Sequence, residues 1–545
     1  MPAASSYFRS SFLKISERFT AQQSLATGFR FLTHLPAYLN NPLTISEARK
    51  ILDQRLERRE EDFLQLLRIA VIENPVSPYR ELLSHAGCEY GDVCLMVEQE
   101  GLEGALEKLF HAGVYLTTDE YKGRRPAVRG SATINVDPEL LRNPMVVPQF
   151  YARTSGSRGA ATPVPFNMDG TRDHAVNMAL SLAARGGANW RKAIWELSGI
   201  GPLLWYSVFG GPVDRWFTKV DPKTAGISRW HPWKVRAMTT TGRLCGVSMP
   251  STEHVPVDAP LPIVQWMEQT LKEGEIPHLW TSTSAAVRLC QAAEQAGTML
   301  EGAQLTVTGE PVTEARLAAI QRVGANAVPD YGCVDSGGSI SCACLSPEAP
   351  DDVHVFSDLN AVIQADAPPF PGDALLLTSI RPSVPFVFLN VSMGDCASLN
   401  TRRCGCAVEA LGWSTHLHTI RSFEKLTIGG MTFMDTDVVQ ILDEKLPHRF
   451  GGGPSDYQVA EEFAQDGHPR LRLLVHPRVG PLDPATVSDV FLDELGAGSE
   501  ANRLMVCQLR DEQFLEVERK APYMTSSGKI LHLWTTLNPH PGDLE

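Results

Sequence analysis

The sequence lacks the features that mark membrane-spanning and secreted proteins. It has no uninterrupted apolar run of about 18 residues, the length that a membrane-spanning helix needs. Its first residues, MPAASSYFRSSFLKISERF, hold no continuous apolar segment followed by a small-residue cleavage site. Its 11 cysteines are sparse for 545 residues and odd in number, which argues against a disulfide scaffold. We therefore expect a reduced, cytoplasmic protein without a membrane span.

Positive charge is also in deficit. The chain has 49 Lys and Arg against 63 Asp and Glu, a formal net charge of −14. A surface of this sign repels a polyanion, so we expect no nucleic-acid partner. The composition does not exclude a homodimer, which remains a possible assembly.

The patterning within the chain predicts two kinds of structure. With 545 residues and 43% apolar residues, two or three domains with large cores can form. Residues 45–120 place apolar residues at helical spacing on a charged background, as in SEARKILDQRLERREEDFLQLLRIAVIE. From about residue 130 to 420, apolar runs such as AQLTVTGE and DALLLTSI alternate with helical stretches. We predict a helical N-terminal region, residues 1–130, packed on an α/β core domain, residues 131–422.

The remaining residues, 423–545, predict a small mobile C-terminal domain. Its helical segments are FMDTDVVQILDEKL and PATVSDVFLDELG, and its strands are DYQVAEEF, PRLRLLVHP and ANRLMVCQL. Two helices on a small antiparallel sheet are the simplest packing of that order. The predicted class is therefore α/β, with a large N-terminal domain of helices and β-sheets plus a small α+β C-terminal domain.

One small-residue stretch, TSGSRG, has two interpretations. Backbone N–H groups and hydroxyls in such a loop can hold a phosphate, although no Gly-Lys-Ser/Thr follows as in a Walker motif. The alternative is an ordinary surface loop. The residues concerned are Thr154, Ser155, Gly156, Ser157, Arg158 and Gly159.

Three later motifs favour the phosphate-binding interpretation. TGEP stands at 308–311 after an apolar run, DYGCVDSGG at 330–338, and TSSGKI at 525–530. In this order the motifs resemble those of the adenylate-forming superfamily of acyl-CoA synthetases, peptide-synthetase adenylation domains and luciferase-like enzymes. The helical start and the cysteines are most similar to the phenylacetate-CoA ligase-like branch. The resemblance covers roughly residues 145–535 and implies an adenylate-forming enzyme fold.

The resemblance implies a two-step reaction. ATP and a carboxylic acid, aryl or fatty, would give an acyl-adenylate and pyrophosphate. A thiol, coenzyme A or a carrier protein, would then capture the acyl group. The implied cofactors are ATP, Mg²⁺ and coenzyme A.

The resemblance also implies roles for individual residues. Lys529 would bridge the carboxylate and the α-phosphate, and Asp335 stands where the family has a magnesium-binding glutamate. Asp395 would hold the ribose hydroxyls, and Arg421 matches an arginine near the hinge between the domains. The phosphate loop is 154–159, and the residues matched to the adenine side are Gly309, Glu310, Pro311, Asp330, Tyr331 and Gly332.

Several positions depart from the family pattern. Val334 replaces a threonine that would contact the α-phosphate, so that contact would have to come from elsewhere, for instance Arg158. Ser392 and Met393 stand where Arg-Thr is usual, and the hinge segment RSFEKLTIGG lacks the paired aspartates. Two alternatives therefore stay open: acyl transfer to a protein, carrier or amine acceptor, or a catalytically degenerate nucleotide-binding scaffold.

Cysteines and a histidine suggest a metal site. CAC and CGC are two Cys-x-Cys pairs, and a strand places residues i and i+2 on one face. Zinc favours four tetrahedral sulfur and nitrogen ligands, and the alternative is a set of small buried thiols. The phenylacetate-CoA ligase-like branch has a similar set, which implies a structural Zn²⁺. The five candidates, with Cys342 and Cys344 not distinguished, are Cys342, Cys344, His354, Cys404 and Cys406.

The stretch VDSGGS is similar to the nucleophile segment of trypsin-like proteases. Such a protease needs a histidine and an aspartate in fixed geometry, usually in a secreted, disulfide-bonded double barrel. The helical content and the odd cysteine count argue against this interpretation.

Overall fold

A computed structural model shows the arrangement of most of the chain. It describes residues 21–153, 163–196, 199–211, 213–219, 221, 231–422, 427–428, 431–432, 435–463, 469–497, 506, 509–510, 515–525 and 527–534. In the N-terminal region, the described residues up to Tyr121 are mostly helical. Its helices are α1 (Ala21–Leu39), α2 (Ile45–Glu57), α3 (Arg59–Leu67), α4 (Pro78–His85), α5 (Tyr90–His111) and α6 (Thr118–Tyr121).

Local signals in the sequence fix where these helices begin. Thr44 caps α2, because its hydroxyl accepts from the Glu47 N–H and the Glu47 carboxylate accepts from the Thr44 N–H at 3.0 Å. Thr117 and Glu120 repeat this capping box at the start of α6. The short helix α6 thereby holds Tyr121 and Lys122 in place, and both contribute to the site described below.

A parallel six-stranded sheet forms the centre of the core, in the order β10-β9-β8-β5-β6-β7. All six residues of the central strand β8 are buried, as expected for a sheet covered on both faces. The strands are β5 (Arg191–Trp195), β6 (Val213–Thr218), β7 (Thr252–His254), β8 (Pro277–Ser282), β9 (Gln304–Thr308) and β10 (Asn326–Asp330). The intervening helices are α7 (Met168–Ala184), α8 (Ile200–Ser207), α9 (His231–Leu244), α10 (Leu261–Lys272), α11 (Thr283–Gln295) and α12 (Glu314–Gln321).

A second six-stranded sheet is antiparallel, in the order β13-β14-β18-β17-β16-β15. It packs with α3, α4 and α5 in one large core. Its strands are β13 (Ser341–Ala343), β14 (Val353–Val355), β15 (Asn360–Ala365), β16 (Ala374–Ser379), β17 (Val391–Thr401) and β18 (Thr415–Ser422). Short two-stranded pairs join β1 (Ala127–Arg129) to β2 (Ala132–Ile134), β3 (Phe150–Arg153) to β4 (Pro163–Phe166), and β11 (Gly332–Cys333) to β12 (Gly338–Ser339).

The C-terminal residues form a sheet and core of their own. The sheet is mixed rather than antiparallel as expected, because β23 and β24 add parallel to the β21–β22 hairpin, in the order β23-β22-β21-β24. The predicted strand ANRLMVCQL is wrong where it is described, since Val506 and Leu509 are helical and contribute buried side chains to the core. The elements are β19 (Thr427–Ile428), β20 (Met431–Thr432), α13 (Asp435–Gln440), α14 (Leu446–Phe450), β21 (Tyr457–Phe463), β22 (Pro469–Val475), α15 (Pro484–Gly496), β23 (Leu515–Glu518) and β24 (Leu533–Trp534).

The predicted fold class is confirmed. Helices and two sheets form the large N-terminal domain, and helices on one small sheet form the C-terminal domain. Within the described ranges, no helix combines the length and apolarity that crossing a bilayer requires.

Candidate active site and metal centre

The carboxyl ends of the parallel strands gather the predicted motifs. Gly309 follows β9 and Tyr331 follows β10, and these two strands are neighbours in the sheet. From β5 the chain proceeds outward through β6 and β7, then returns to β8 on the other side of β5. Ligands of open α/β sheets bind at such a reversal, outside the carboxyl ends of the strands. The fold therefore brings the GEP and YG segments to the edge where a ligand is expected.

Lys529 of the C-terminal domain reaches this edge. Its Nζ donates to the Gly309 carbonyl oxygen at 3.3 Å, across 220 residues of chain. Gly309 has φ +77°, and a β carbon there would collide with the Lys529 side chain. A glycine is needed at this position both for its backbone conformation and for the close approach of the lysine. Two motifs predicted to share one site are thus in contact.

Glu310 is held by the start of α11. The Ser284 N–H donates to its Oε2 at 2.6 Å, and the Ser284 hydroxyl donates to its Oε1 at 2.9 Å. The same hydroxyl accepts from the Ile530 N–H at 3.2 Å. Ser284 therefore connects the GEP segment to the backbone beside Lys529.

A second lysine at this edge was missed by sequence reasoning. Lys219, directly after β6, is fully buried and donates to the Ser282 hydroxyl at 2.7 Å, with the Glu196 carboxylate at 3.2 Å. Burial lowers the pKa of Lys219. Its aliphatic stem lies against Gly528, where a β carbon would be 2.8 Å from Cδ. The sequence indicates Lys219 only by its position directly after a strand. Many surface lysines have the same position, so this signal does not single it out.

Tyr331 and Asp395 are also in contact. The Tyr331 hydroxyl donates to Asp395 Oδ2 at 3.0 Å. Asp330 precedes Tyr331 in the chain and accepts from the hydroxyls of Thr308, at 3.2 Å, and Ser339. Burial raises the pKa of Asp330 to about 7. Gly332 is needed for backbone packing, since a β carbon there would meet the Ser339 Cα at 2.7 Å.

Asp335 has protein partners that the sequence did not reveal. It is 4% exposed, and its Oδ1 accepts from the Lys122 ammonium and from the Tyr121 hydroxyl, both at 2.9 Å. The carboxylate that the resemblance assigns to magnesium is therefore already paired with a cation. A magnesium ion at Asp335 would have to share or displace Lys122, so the side chains as they stand do not fit the ion, and no step is assigned to it.

Arg421 forms an ion pair with Asp351. It lies opposite Cys396 in the β17–β18 pair, and its Nη1 donates to Asp351 Oδ2 at 3.0 Å. Asp351 also accepts from the backbone N–H groups of Thr419 and Ile420. The structure therefore assigns Arg421 a contact within the second sheet. The predicted phosphate loop, residues 154–159, lies outside the described residues; β3 and β4 on either side of it pair with Arg153 opposite Pro163.

A histidine and cysteine cluster lies where β13, β14, β18 and the CGC segment meet. Four residues each place one possible ligand atom within 4.8 Å of the others: Cys344, His354, Cys404 and His416. Cys406 is adjacent, with its Sγ 3.3 Å from His354 Nε2. Cys342 is outside this group of four and instead lines a small internal cavity with Asp330. His416 was missed by sequence reasoning.

Hydrogen bonds orient both rings of the cluster. His354 Nδ1 lies 2.6 Å from the Trp413 carbonyl oxygen, which fixes the proton on Nδ1 and leaves the Nε2 lone pair free. His416 Nδ1 lies 2.9 Å from Asp352 Oδ1. Its Nε2 is buried and has no protein partner among the described residues. A histidine that binds a metal through one ring nitrogen usually donates its other ring N–H to a carboxylate, which fixes the orientation of the ring.

The electrostatics differ among the residues of the cluster. Burial and the neighbouring His416 lower the pKa of His354 to about 4, so its ring is neutral near pH 7. Burial raises the pKa of Cys344 to about 12 and raises that of Cys404, whereas N–H donors of Leu345 and Glu409 lower the pKa of Cys406. Metal ligands must be unprotonated, so His354 and Cys406 meet that requirement as they stand, whereas Cys344 and Cys404 would release their protons when a cation binds.

Comparison with known proteins gives structural likeness only. No family model and no curated protein sequence matches the chain. The chain is similar to a 2-hydroxyisobutyryl-CoA ligase solved with 2-HIB-AMP and CoA, at 13% identity and a TM-score of 0.42 over 91% of this chain and 92% of that one. It is similar to the O-succinylbenzoate coenzyme A synthetase of Bacillus subtilis, solved with ATP and a magnesium ion, at 14% identity and a TM-score of 0.41 over 71% and 70%. A third is the amide bond synthetase McbA of Marinactinospora thermotolerans, at 12% identity and a TM-score of 0.40 over 92% and 98%.

Proposed function

We propose that this protein uses ATP to activate an aryl or fatty carboxylic acid as an acyl-adenylate and then transfers the acyl group to a thiol, with coenzyme A as the first acceptor to test. The observation that carries the proposal is the contact between Lys529 and Gly309 at the carboxyl edge of the parallel sheet. An ammonium fixed there can neutralise charge on both reacting anions, the carboxylate and the α-phosphate.

In the first step, a carboxylate oxygen of the acid attacks the α-phosphorus of ATP, and pyrophosphate leaves. Lys529 would lie beside the forming bond, and Tyr331 and Asp395 would hold the adenosine. In the second step, the thiol sulfur attacks the acyl carbon, AMP leaves, and the thiol proton is released. Zinc is not required for either step.

The experiment is a measurement of acid-dependent pyrophosphate release with ATP and magnesium across aryl, fatty and amino acids. Release with one class of acid would support adenylation and identify the substrate class. Turnover with and without coenzyme A then tests the acceptor. Acyl transfer to a protein or amine without coenzyme A would favour the alternative acceptors.

A non-catalytic scaffold is the second candidate, and two observations favour it. Val334 offers no hydrogen-bond donor, and Asp335 is paired with Lys122 instead of being free for a cation. On this alternative, ATP binds but no acid causes pyrophosphate release.

We further propose that the cluster holds one structural zinc ion. Four residues would supply the sulfur and nitrogen ligands that zinc favours, with Cys406 as an alternative thiolate: Cys344, His354, Cys404 and His416. The supporting observation is the buried, unpartnered Nε2 of His416. Bound zinc would cross-link β14 and β18 to the CGC segment, and it would contribute to stability without taking part in the reaction.

A further inference from the structure

Residues 527–532, here called the lysine segment, are attached to the core domain at two points that follow Lys529. At the first, the Ile530 N–H donates to the Ser284 hydroxyl at 3.2 Å. At the second, His532 is 7% exposed and lies against Arg316 of α12. Because Ile530 follows Lys529 directly and His532 is only three positions beyond Lys529, these attachments restrict where the lysine ammonium can be.

Arg316 joins three separate parts of the molecule. It is 1% exposed, and its Nε donates to Asp443 Oδ2 of the C-terminal domain at 2.9 Å. Its Nη1 donates to the carbonyl oxygen of Pro311 in the GEP segment at 3.1 Å. Its Nη2 lies 2.9 Å from His532 Nε2. One guanidinium thus contacts the GEP segment, the lysine segment and the helical part of the C-terminal domain.

Asp443 completes the network. It is 2% exposed, it also accepts from the Thr313 hydroxyl at 3.0 Å, and its Oδ1 lies 3.0 Å from His532 Nε2. Burial would raise the pKa of Asp443, but the charge of Arg316 and the hydrogen bond from Thr313 hold it well below its usual range. The pair is therefore charged and buried. Removing one member of such a pair is strongly destabilising because the other is left buried and unpaired.

A second buried ion pair joins the same two domains elsewhere. Arg288 of α11 donates to Asp456 Oδ1 at 3.0 Å and to the Ser455 carbonyl oxygen at 2.7 Å. These contacts are at the start of β21, away from the GEP segment. Arg288 is thus a matched control, since it attaches the C-terminal domain without contacting the lysine segment.

We infer that Arg316 and Asp443 are positioning residues for Lys529: their buried ion pair docks the lysine segment on the GEP segment and so fixes the ammonium where adenylation takes place. This inference rests on the proposed function. Neither Arg316 nor Asp443 would touch the reacting atoms. Their ion pair would affect adenylation only by keeping Lys529 in place.

The experiment compares Arg316→Ala with Arg288→Ala. The readouts are amide hydrogen exchange of residues 527–532, thermal stability, and the kcat of acid-dependent pyrophosphate release. We expect both variants to lose stability, and Arg316→Ala to lose more, because Asp456 keeps Arg478 as a partner when Arg288 is removed. We expect Arg316→Ala to speed exchange of the Ile530 amide at least tenfold, and Arg288→Ala to leave it unchanged. We also expect the kcat of Arg316→Ala to be at least tenfold lower than the kcat of Arg288→Ala. Equal effects of the two variants on exchange or on kcat would overturn the inference.

Asp443→Asn is the second variant in case Arg316→Ala does not fold. It keeps the shape of the side chain and removes the charge that pairs with Arg316, and we expect faster exchange at Ile530 with a smaller loss of kcat. Unchanged exchange would overturn the inference. If the unmodified protein releases no pyrophosphate with any acid, the proposed function fails, whereas the exchange comparison still tests the docking.

Discussion

The Tyr331 hydroxyl donates a 3.0 Å hydrogen bond to the Asp395 carboxylate, although 64 residues separate them in the chain. Tyr331 follows strand β10 of the parallel sheet, and Asp395 lies in strand β17 of the antiparallel sheet. The hydrogen bond therefore connects the two sheets at the edge where Lys529 also lies. Under the proposed function, the ring of Tyr331 and the second oxygen of Asp395 would hold the nucleoside.

Asp395→Ala is expected to raise the KM for ATP. Loss of a hydrogen bond to a charged group costs about 1.5–3 kcal/mol, which corresponds to roughly 10- to 100-fold in affinity. Tyr331→Phe keeps the ring and should have a smaller effect. The measurement is initial rate against ATP concentration, with Tyr90→Phe, whose hydroxyl donates to the distant Leu64 carbonyl, as the control. An unchanged KM in Asp395→Ala would contradict the assignment of Asp395 to the nucleotide.

Gly309→Ala is expected to reduce pyrophosphate release more than it reduces stability. A β carbon at Gly309 would collide with Lys529 and displace its ammonium. Gly302→Ala is the matched control, because Gly302 has φ +84° but no atom within 4 Å of the added carbon. Both variants should lose about 1 kcal/mol or somewhat more to backbone strain. Only Gly309→Ala should lower kcat at least tenfold; an equal loss in both would mean that strain alone is responsible.

Lys122→Met is expected to make thermal stability depend on magnesium. Without Lys122, the buried Asp335 carboxylate loses its cation, which costs about 3–5 kcal/mol. A divalent cation can then bind the freed carboxylate, and ligand binding to the folded state raises the Tm. The measurement is Tm with and without added magnesium chloride in Lys122→Met and in the unmodified protein. The control is Lys108→Met, whose partner Glu100 is 38% exposed. A Tm of Lys122→Met that does not respond to magnesium would show that Asp335 cannot take the ion.

Metal removal is expected to destabilise the protein without changing the reaction step. Purified protein should contain about one zinc per chain, and chelation should lower its Tm. Cys404→Ser and His416→Ala should each lose the zinc, whereas Cys342→Ser and the remote Cys245→Ser should retain it. Metal analysis with thermal unfolding makes this comparison. Full zinc in His416→Ala would remove His416 from the ligand set, and loss in Cys342→Ser would replace Cys344 by Cys342.

The sequence predicts the parts of the site that lie within ordered motifs. The GEP, YG and SGK segments are predicted to lie together, and Lys529 of the SGK segment does contact Gly309 of the GEP segment. Lys122 could not be predicted, because it approaches Asp335 only through the packing of α6 near strand β17. His416 could not be chosen over His418 in the pattern THLHT. Only the register of β14 with β18, which places His354 opposite His416, identifies the buried member.

The mixed C-terminal sheet shows a similar limit. The sequence predicts the β21–β22 hairpin, since two short strand-like segments, DYQVAEEF and PRLRLLVHP, are joined by a polar turn. The parallel additions β23 and β24 depend on contacts between residues about 40 to 75 positions apart, such as Leu473 with Val517 and Val459 with Leu533. Local patterns carry no information about pairing at that distance.

The most direct test of the proposed function is acid-dependent pyrophosphate release by Lys529→Ala, compared with the unmodified protein and with Lys445→Ala, an exposed lysine of the same domain. The proposed function predicts that Lys529→Ala still binds ATP but loses release by about 10²–10³-fold, as for removal of a group that stabilises the transition state. It also predicts that Lys445→Ala is unchanged. Release by Lys529→Ala at the rate of the unmodified protein would contradict the role of Lys529, and the proposal with it.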